Sequence, residues 1–222
     1  MRTDRPHLPL CPPPSTETNT DGAVLAHHST GHLDPEVTAE LASQAGLDED
    51  DKKRAFLVTP PLDLTPGTLL VAVGPGASGK STYADTADVD VVICLDSLRH
   101  EIGGDTGDQS VTPAAAERQN ALLEHYLSAG ASVFLDSTNV EAHLRARLVE
   151  RARRHGRPVV ALRFLPDLNT CLARNRLRPA NRRIPDDTLR WQHDLARAAT
   201  PSVLLAEGFA AVHQAMTCPP RR

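Results

Sequence analysis

The chain alternates between short unbroken apolar runs and longer segments in which apolar residues recur every three or four positions. The runs 69–73, 91–95, 133–135, 159–164 and 203–205 are rich in Val and Leu. Runs without polar alternation predict strands covered on both faces, as in a parallel sheet. Between them the spacing predicts helices over 79–87, about 112–129, about 140–155, about 167–177 and about 185–198. Thr112 with Pro113 opens the second of these, Gly156 ends the third, and Pro185 stands at the first position of the last. A helix tolerates proline there because that N–H has no partner within the helix. Strands alternating with helices predict a three-layer α/β fold with a mainly parallel sheet of about five strands.

Upstream the pattern fails. Residues 1–33 are rich in Pro, Thr, Ser and His with few large apolar side chains, so they are expected to be disordered. His27, His28 and His32 read there as solvated side chains rather than metal ligands. Asp34, Pro35 and Glu36 form a helix-start signal, and Val37, Leu41 and Ala45 share one face before Gly46, predicting a short helix near 35–45. The expected organisation is a weakly structured extension over 1–64 and one folded domain over 65–222. With 40% hydrophobic residues in 222, the chain can bury one good core.

The four cysteines, Cys11, Cys94, Cys171 and Cys218, are scattered and form no C-x-x-C pair, which argues against a disulfide framework or a zinc site. No run of about 18 apolar residues is present to span a bilayer, and the expectation is a cytoplasmic protein without membrane contact. The net charge of −4 hides an acidic front, with Asp48, Glu49, Asp50 and Asp51 in a row, and a basic stretch at 141–197 with 14 arginines against six acidic residues. That stretch is either a solvated face or an anion-binding surface.

The segment Gly74-Pro75-Gly76-Ala77-Ser78-Gly79-Lys80-Ser81-Thr82 has the form G-x-x-x-x-G-K-S, directly after an apolar run and at the start of a predicted helix. This is a phosphate-binding loop in its confirming context: glycines let backbone N–H groups turn toward phosphates. The spacing assigns Lys80 to the β- and γ-phosphates of ATP and the Ser81 hydroxyl to Mg²⁺. Lys52, Lys53 and Lys80 are the only lysines, so the one lysine of the expected domain falls in this loop.

Such a loop does not distinguish a kinase from a switch. Asp96 follows the 91–95 run and Arg99 follows three residues later, at the carboxyl end of a strand, where ligands of doubly wound sheets lie. A carboxylate there can take the proton of an attacking hydroxyl, or merely cap the next helix. Asp136 ends the 133–135 run and is a candidate for the Mg²⁺ shell or for a turn cap. Arg174, Arg176, Arg178, Arg182 and Arg183 cluster ahead of Pro185, a density that predicts a lid closing on the transferred phosphoryl group. Arg178 and Arg182 are the candidates within it.

Residues 68–198 resemble the polynucleotide 5′-kinase domain of bacterial RNA end-healing enzymes of the polynucleotide kinase-phosphatase type, within the P-loop kinases. The resemblance rests on G-P-G-A-S-G-K-S-T at 74–82, D-S-L-R at 96–99, D-x-x-D-Q-S-V-T from Asp105 to Thr112, L-D-S-T-N-V at 135–140, and R-N-x-x-R at 174–178 followed by R-x-I-P at 182–185. It implies that Asp96 is the general base for a 5′-hydroxyl and that Arg99 contacts the acceptor phosphate. It also implies that Gln109 shapes the acceptor pocket and that Arg178 and Arg182 contact ATP phosphates. The lid spacing is one residue longer than the family's, leaving Arg183 as an alternative to Arg182.

The expected function is therefore ATP-dependent, Mg²⁺-assisted phosphoryl transfer to a hydroxyl, foremost the 5′-hydroxyl end of a nucleic acid. The alternatives are a kinase of a small alcohol, nucleoside or sugar, and a nucleotide-dependent regulatory module. The sequence leaves the oligomeric state open.

Overall fold

A computed structural model describes residues 62–215; the helix expected near 35–45 lies outside them. The elements in chain order are β1 (Leu69–Val73), α1 (Lys80–Ala84), β2 (Val91–Cys94), α2 (Leu95–Gly103), α3 (Thr112–Ala129), β3 (Val133–Asp136), α4 (Ala142–Arg154), β4 (Val159–Arg163), α5 (Leu168–Arg176), a 3₁₀ turn (Ala180–Arg182), α6 (Asp186–Ala198), α7 (Pro201–Ala206) and β5 (Ala211–Gln214). The five strands form one parallel sheet in the order β2-β3-β1-β4-β5. This is the α/β P-loop NTPase architecture that the alternating pattern predicts.

The sheet separates two cores. On one face Leu69, Val71, Val133, Leu135 and Ala161 pack with Leu98 of α2, Leu123 and Leu127 of α3, Leu148 of α4 and Leu204 of α7. On the other, Leu70, Ala72, Phe134, Leu162 and Phe164 pack with Ala84 of α1, joined by Leu62, Leu64 and Tyr83. Period-two alternation within fully buried strands explains why the sequence reads as unbroken apolar runs: both faces are covered.

One predicted strand is corrected. Residues 203–205 are helical, inside α7. Thr200 is its N-cap, with its side chain accepting from the Val203 N–H, and Pro201 occupies the first turn, so local capping chemistry outweighs the short apolar run. Leu204 is buried while Val203 and Leu205 are exposed, the signature of a helix with one face inward. The fifth strand is instead Ala-Val-His-Gln at 211–214, at the sheet edge and only partly covered. Strand β2 also stops one residue early, and α2 begins at once with Leu95, an element absent from the predicted helices.

The strand order positions the site. With β1 beside β3 and β3 beside β2, the carboxyl ends carrying Gly74, Asp136 and Asp96 are neighbours, and Cys94 stands in register with Asp136. Among the described residues no helix is long and apolar enough to cross a membrane.

Candidate active site

The glycines of the loop after β1 either pack tightly against neighbours or adopt left-handed backbone. A Cβ on Gly74 would lie 2.3 Å from the Phe164 carbonyl oxygen, and one on Gly76 would lie 2.1 Å from Ile184 Cδ1. Gly79 has φ 102°, a left-handed conformation open to glycine at little cost. Ala77 adopts φ 57°, a conformation that costs a non-glycine residue about 1 kcal/mol or more. The Gly74 N–H donates to the Thr138 carbonyl at 3.0 Å, and the Gly76 N–H donates to Gln192 Oε1 at 2.9 Å. Tyr83 locks α1 onto the sheet through edge contacts with Phe134 and Phe164. Ser78 is buried and Thr82 is exposed.

Lys80 is buried within this loop. Its ammonium donates to the carbonyls of Gly74 at 3.1 Å and Pro75 at 2.5 Å, and lies 3.3 Å from Ser78 Oγ. Burial lowers its pKa to about 8; Asp136 opposes that shift, Arg178 adds to it, and Asp96 opposes it. The neighbouring Ser81 hydroxyl donates to Asp136 Oδ2 at 2.8 Å. Asp136 thus bonds to the loop helix across 55 positions, and this pair offers two hard oxygen donors.

Asp96 lies in the first turn of α2, whose N-cap is Cys94 with no side-chain capping bond. Its carboxylate instead accepts from two guanidinium groups: Arg99 on Oδ1 and Arg182 Nη2, 3.4 Å away, on Oδ2. Arg99 is almost fully buried, and its Nε donates to the Thr106 carbonyl at 3.0 Å. It ties α2 to the loop over 104–111 while fixing Asp96. Gln109 is exposed, and its side chain accepts from Thr112 Oγ1 at 3.3 Å.

The arginines after α5 separate by environment. Burial lowers the pKa of Arg178, with Arg182 adding to the shift and Asp96 and Asp136 opposing it; this places its charge among the loop and strand-end groups. Arg182 reaches Asp96, whereas Arg183 is exposed and donates to the Arg178 carbonyl at 2.7 Å. Arg176 is exposed near Asp186, and Arg174 Nη1 donates to the Ala77 carbonyl at 3.4 Å.

Two side chains that sequence reading gave no role hold the 177–183 segment. Buried Asn175 bonds the Ile184 backbone in both directions, at 2.7 and 3.0 Å, closing the segment at its base. Asn181 donates to both Asp105 oxygens at 2.9 and 3.1 Å. The Gly107 N–H and the Asn181 amide hold the Asp105 carboxyl below its ordinary pKa. The R-N-x-x-R spacing contained Asn175, but nothing in the sequence joined Asn181 to Asp105 or Gln192 to the loop.

The chain is similar to solved structures at low identity. A structure of the PezAT chromosomal toxin-antitoxin system of Streptococcus pneumoniae is 17% identical, with a TM-score of 0.49 over 82% of this chain and 79% of the other. An AvrRxo1-ORF1:AvrRxo1-ORF2 complex with sulphate ions is 17% identical, with a TM-score of 0.50 over 77% and 58%. The native form of that complex is 18% identical, with a TM-score of 0.50 over 81% and 66%. No curated protein matches the chain. Residues 69–200, more than half of the chain and the whole span from β1 through α6, match the AAA domain, and the chain belongs to that family as a P-loop kinase-like α/β protein.

Proposed function

We propose that the chain is an ATP-dependent phosphotransferase that moves the γ-phosphoryl group to a hydroxyl, foremost the 5′-hydroxyl of RNA or DNA. The observation that carries this reading is Asp96. A carboxylate at the carboxyl end of β2, bonded both to Arg99 and to Arg182, is arranged for proton transfer beside phosphate-neutralising charge.

The loop fits a triphosphate: Gly74, packed on the Phe164 carbonyl, and Gly76, packed on the Ile184 side chain, keep it tight, and its lysine lies inside. Ser81 and Asp136 are the residues that would hold Mg²⁺, which supplies charge neutralisation on the phosphates when bound. Lys80, Arg178 and Arg182 provide cationic groups for the developing charge on the phosphoryl oxygens. Asp96 orients the acceptor hydroxyl and takes its proton as the new O–P bond forms and the β–γ bond breaks, with ADP leaving.

A small alcohol, nucleoside or sugar is the second acceptor class. It is favoured by Arg99, whose burial and whose bonds to Asp96 and Thr106 make it a support for the carboxylate more than a receptor for an acceptor phosphate. Competition between a 5′-hydroxyl oligonucleotide and a nucleoside for the same enzyme decides the class. An oligonucleotide acceptor predicts higher kcat/KM for the oligonucleotide and a steep loss with added salt; a flat salt dependence with nucleoside preferred contradicts it.

A further inference from the structure

We infer that Gln192 is a positioning residue for the nucleotide, setting the shape of the phosphate loop through its bond to the Gly76 N–H; the inference rests on ATP binding at that loop. Gln192 belongs to α6, 116 positions away, and its Oε1 accepts from Gly76 at 2.9 Å. The same helix and Ile184, two residues ahead of it, also crowd the Cα of Gly76. A Cβ there would lie 2.1 Å from Ile184 Cδ1, 3.4 Å from Gln192 Oε1 and 3.5 Å from Leu189 Cδ1. Leu189 is fully buried and packs with Cys171 and Leu172 of α5, while Asn175 of α5 fixes the Ile184 backbone. Gln192 therefore stands on a rigid support.

The bond matters because of what surrounds it. Gly74 gives its N–H to Thr138, Pro75 has none, and Gly76 gives its own to Gln192. The first three loop residues are thereby committed to protein, and phosphate contacts fall to the N–H groups from Ala77 onward. Ala77 is the residue held at φ 57°, a conformation an alanine leaves unless its neighbours fix it. The Gln192 bond fixes the Pro75–Gly76 peptide, one peptide ahead of the one that leads into Ala77. Without that acceptor the loop can relax, and the N–H groups lose the convergence a phosphate requires.

The test uses the full chain with two substitutions. Gln192→Met keeps the length and removes the acceptor; Gln192→Glu keeps an acceptor and adds charge. Gln192→Met is expected to speed amide exchange at Gly76 about tenfold, to raise the ATP dissociation constant by about the same factor, and to leave kcat at saturating ATP nearly unchanged. Gln192→Glu is expected to keep Gly76 protected, with ATP binding weakened more at low salt than at high salt. Wild-type exchange and wild-type ATP affinity in Gln192→Met overturn the inference, as does loss of Gly76 protection in Gln192→Glu. Wild-type protein that binds ATP but phosphorylates no hydroxyl overturns the phosphotransferase reading and leaves this one standing. Wild-type protein that binds no ATP overturns both.

Discussion

Arg182 Nη2 lies 3.4 Å from Asp96 Oδ2, so the segment following α5 meets the first turn of α2 across 86 positions of sequence. This contact separates two arginines that sequence spacing left interchangeable. Arg182→Ala is expected to lower kcat about 100-fold, the scale of removing one charge-stabilising donor, while Arg183→Ala stays close to wild type. Steady-state kinetics on both variants checks this; equal losses would remove the distinction.

Lys80 gives the site its pH dependence. Burial lowers its pKa to about 8 from 10.5, so the folded chain releases this proton before the unfolded chain does. Its buried charge costs stability at pH below 8, and that cost fades as pH rises toward 10.5. Bound phosphates favour the charged form, so ATP binding takes up a proton above pH 8. The ATP dissociation constant is expected to rise roughly tenfold between about pH 7 and about pH 9. Titration calorimetry at several pH values measures it, and a pH-independent affinity over that range contradicts the assignment.

The Ser81–Asp136 bond at 2.8 Å predicts a metal-dependent phenotype. Asp136→Asn is expected to raise the Mg²⁺ concentration for half-maximal activity about tenfold or more, with metal-free nucleotide affinity little changed. A Mg²⁺ titration of activity beside nucleotide binding in a chelator separates the two effects.

Thr200 carries a prediction for stability alone. Its side chain caps α7 by accepting from the Val203 N–H, and Thr200→Ala is expected to cost about 1 kcal/mol. For a chain of this size that corresponds to a Tm lower by about 3 °C, read by calorimetry, with ATP affinity unchanged.

The first four strands and the phosphate loop were legible because burial on both faces leaves a nearly pure apolar signal and because the loop's glycines have few alternatives. The edge strand was not: Ala211–Gln214 is half exposed and carries His213 and Gln214, so burial pressure left no run to read. The Val-Leu-Leu run at 203–205 reads as a strand, and Thr200 and Pro201 overrule that by local capping. At the site, residue types in order along the chain revealed Lys80, Ser81, Asp96 and Asp136 as candidates. Contacts between distant segments, such as Asn181 with Asp105 and Gln192 with Gly76, depend on how α6 and the 177–183 segment fold back over the loop. No spacing rule records that.

The most direct measurement is transfer of label from γ-labelled ATP to a hydroxyl acceptor with Mg²⁺, using a 5′-hydroxyl oligonucleotide and a nucleoside in parallel, for wild type, Asp96→Asn and Lys80→Ala. The account predicts labelled acceptor with wild type, a loss of turnover of about 100-fold or more in Asp96→Asn with ATP binding retained, and loss of ATP binding itself in Lys80→Ala. Wild-type activity in Asp96→Asn, or ATP bound by wild type with no hydroxyl labelled, would contradict it.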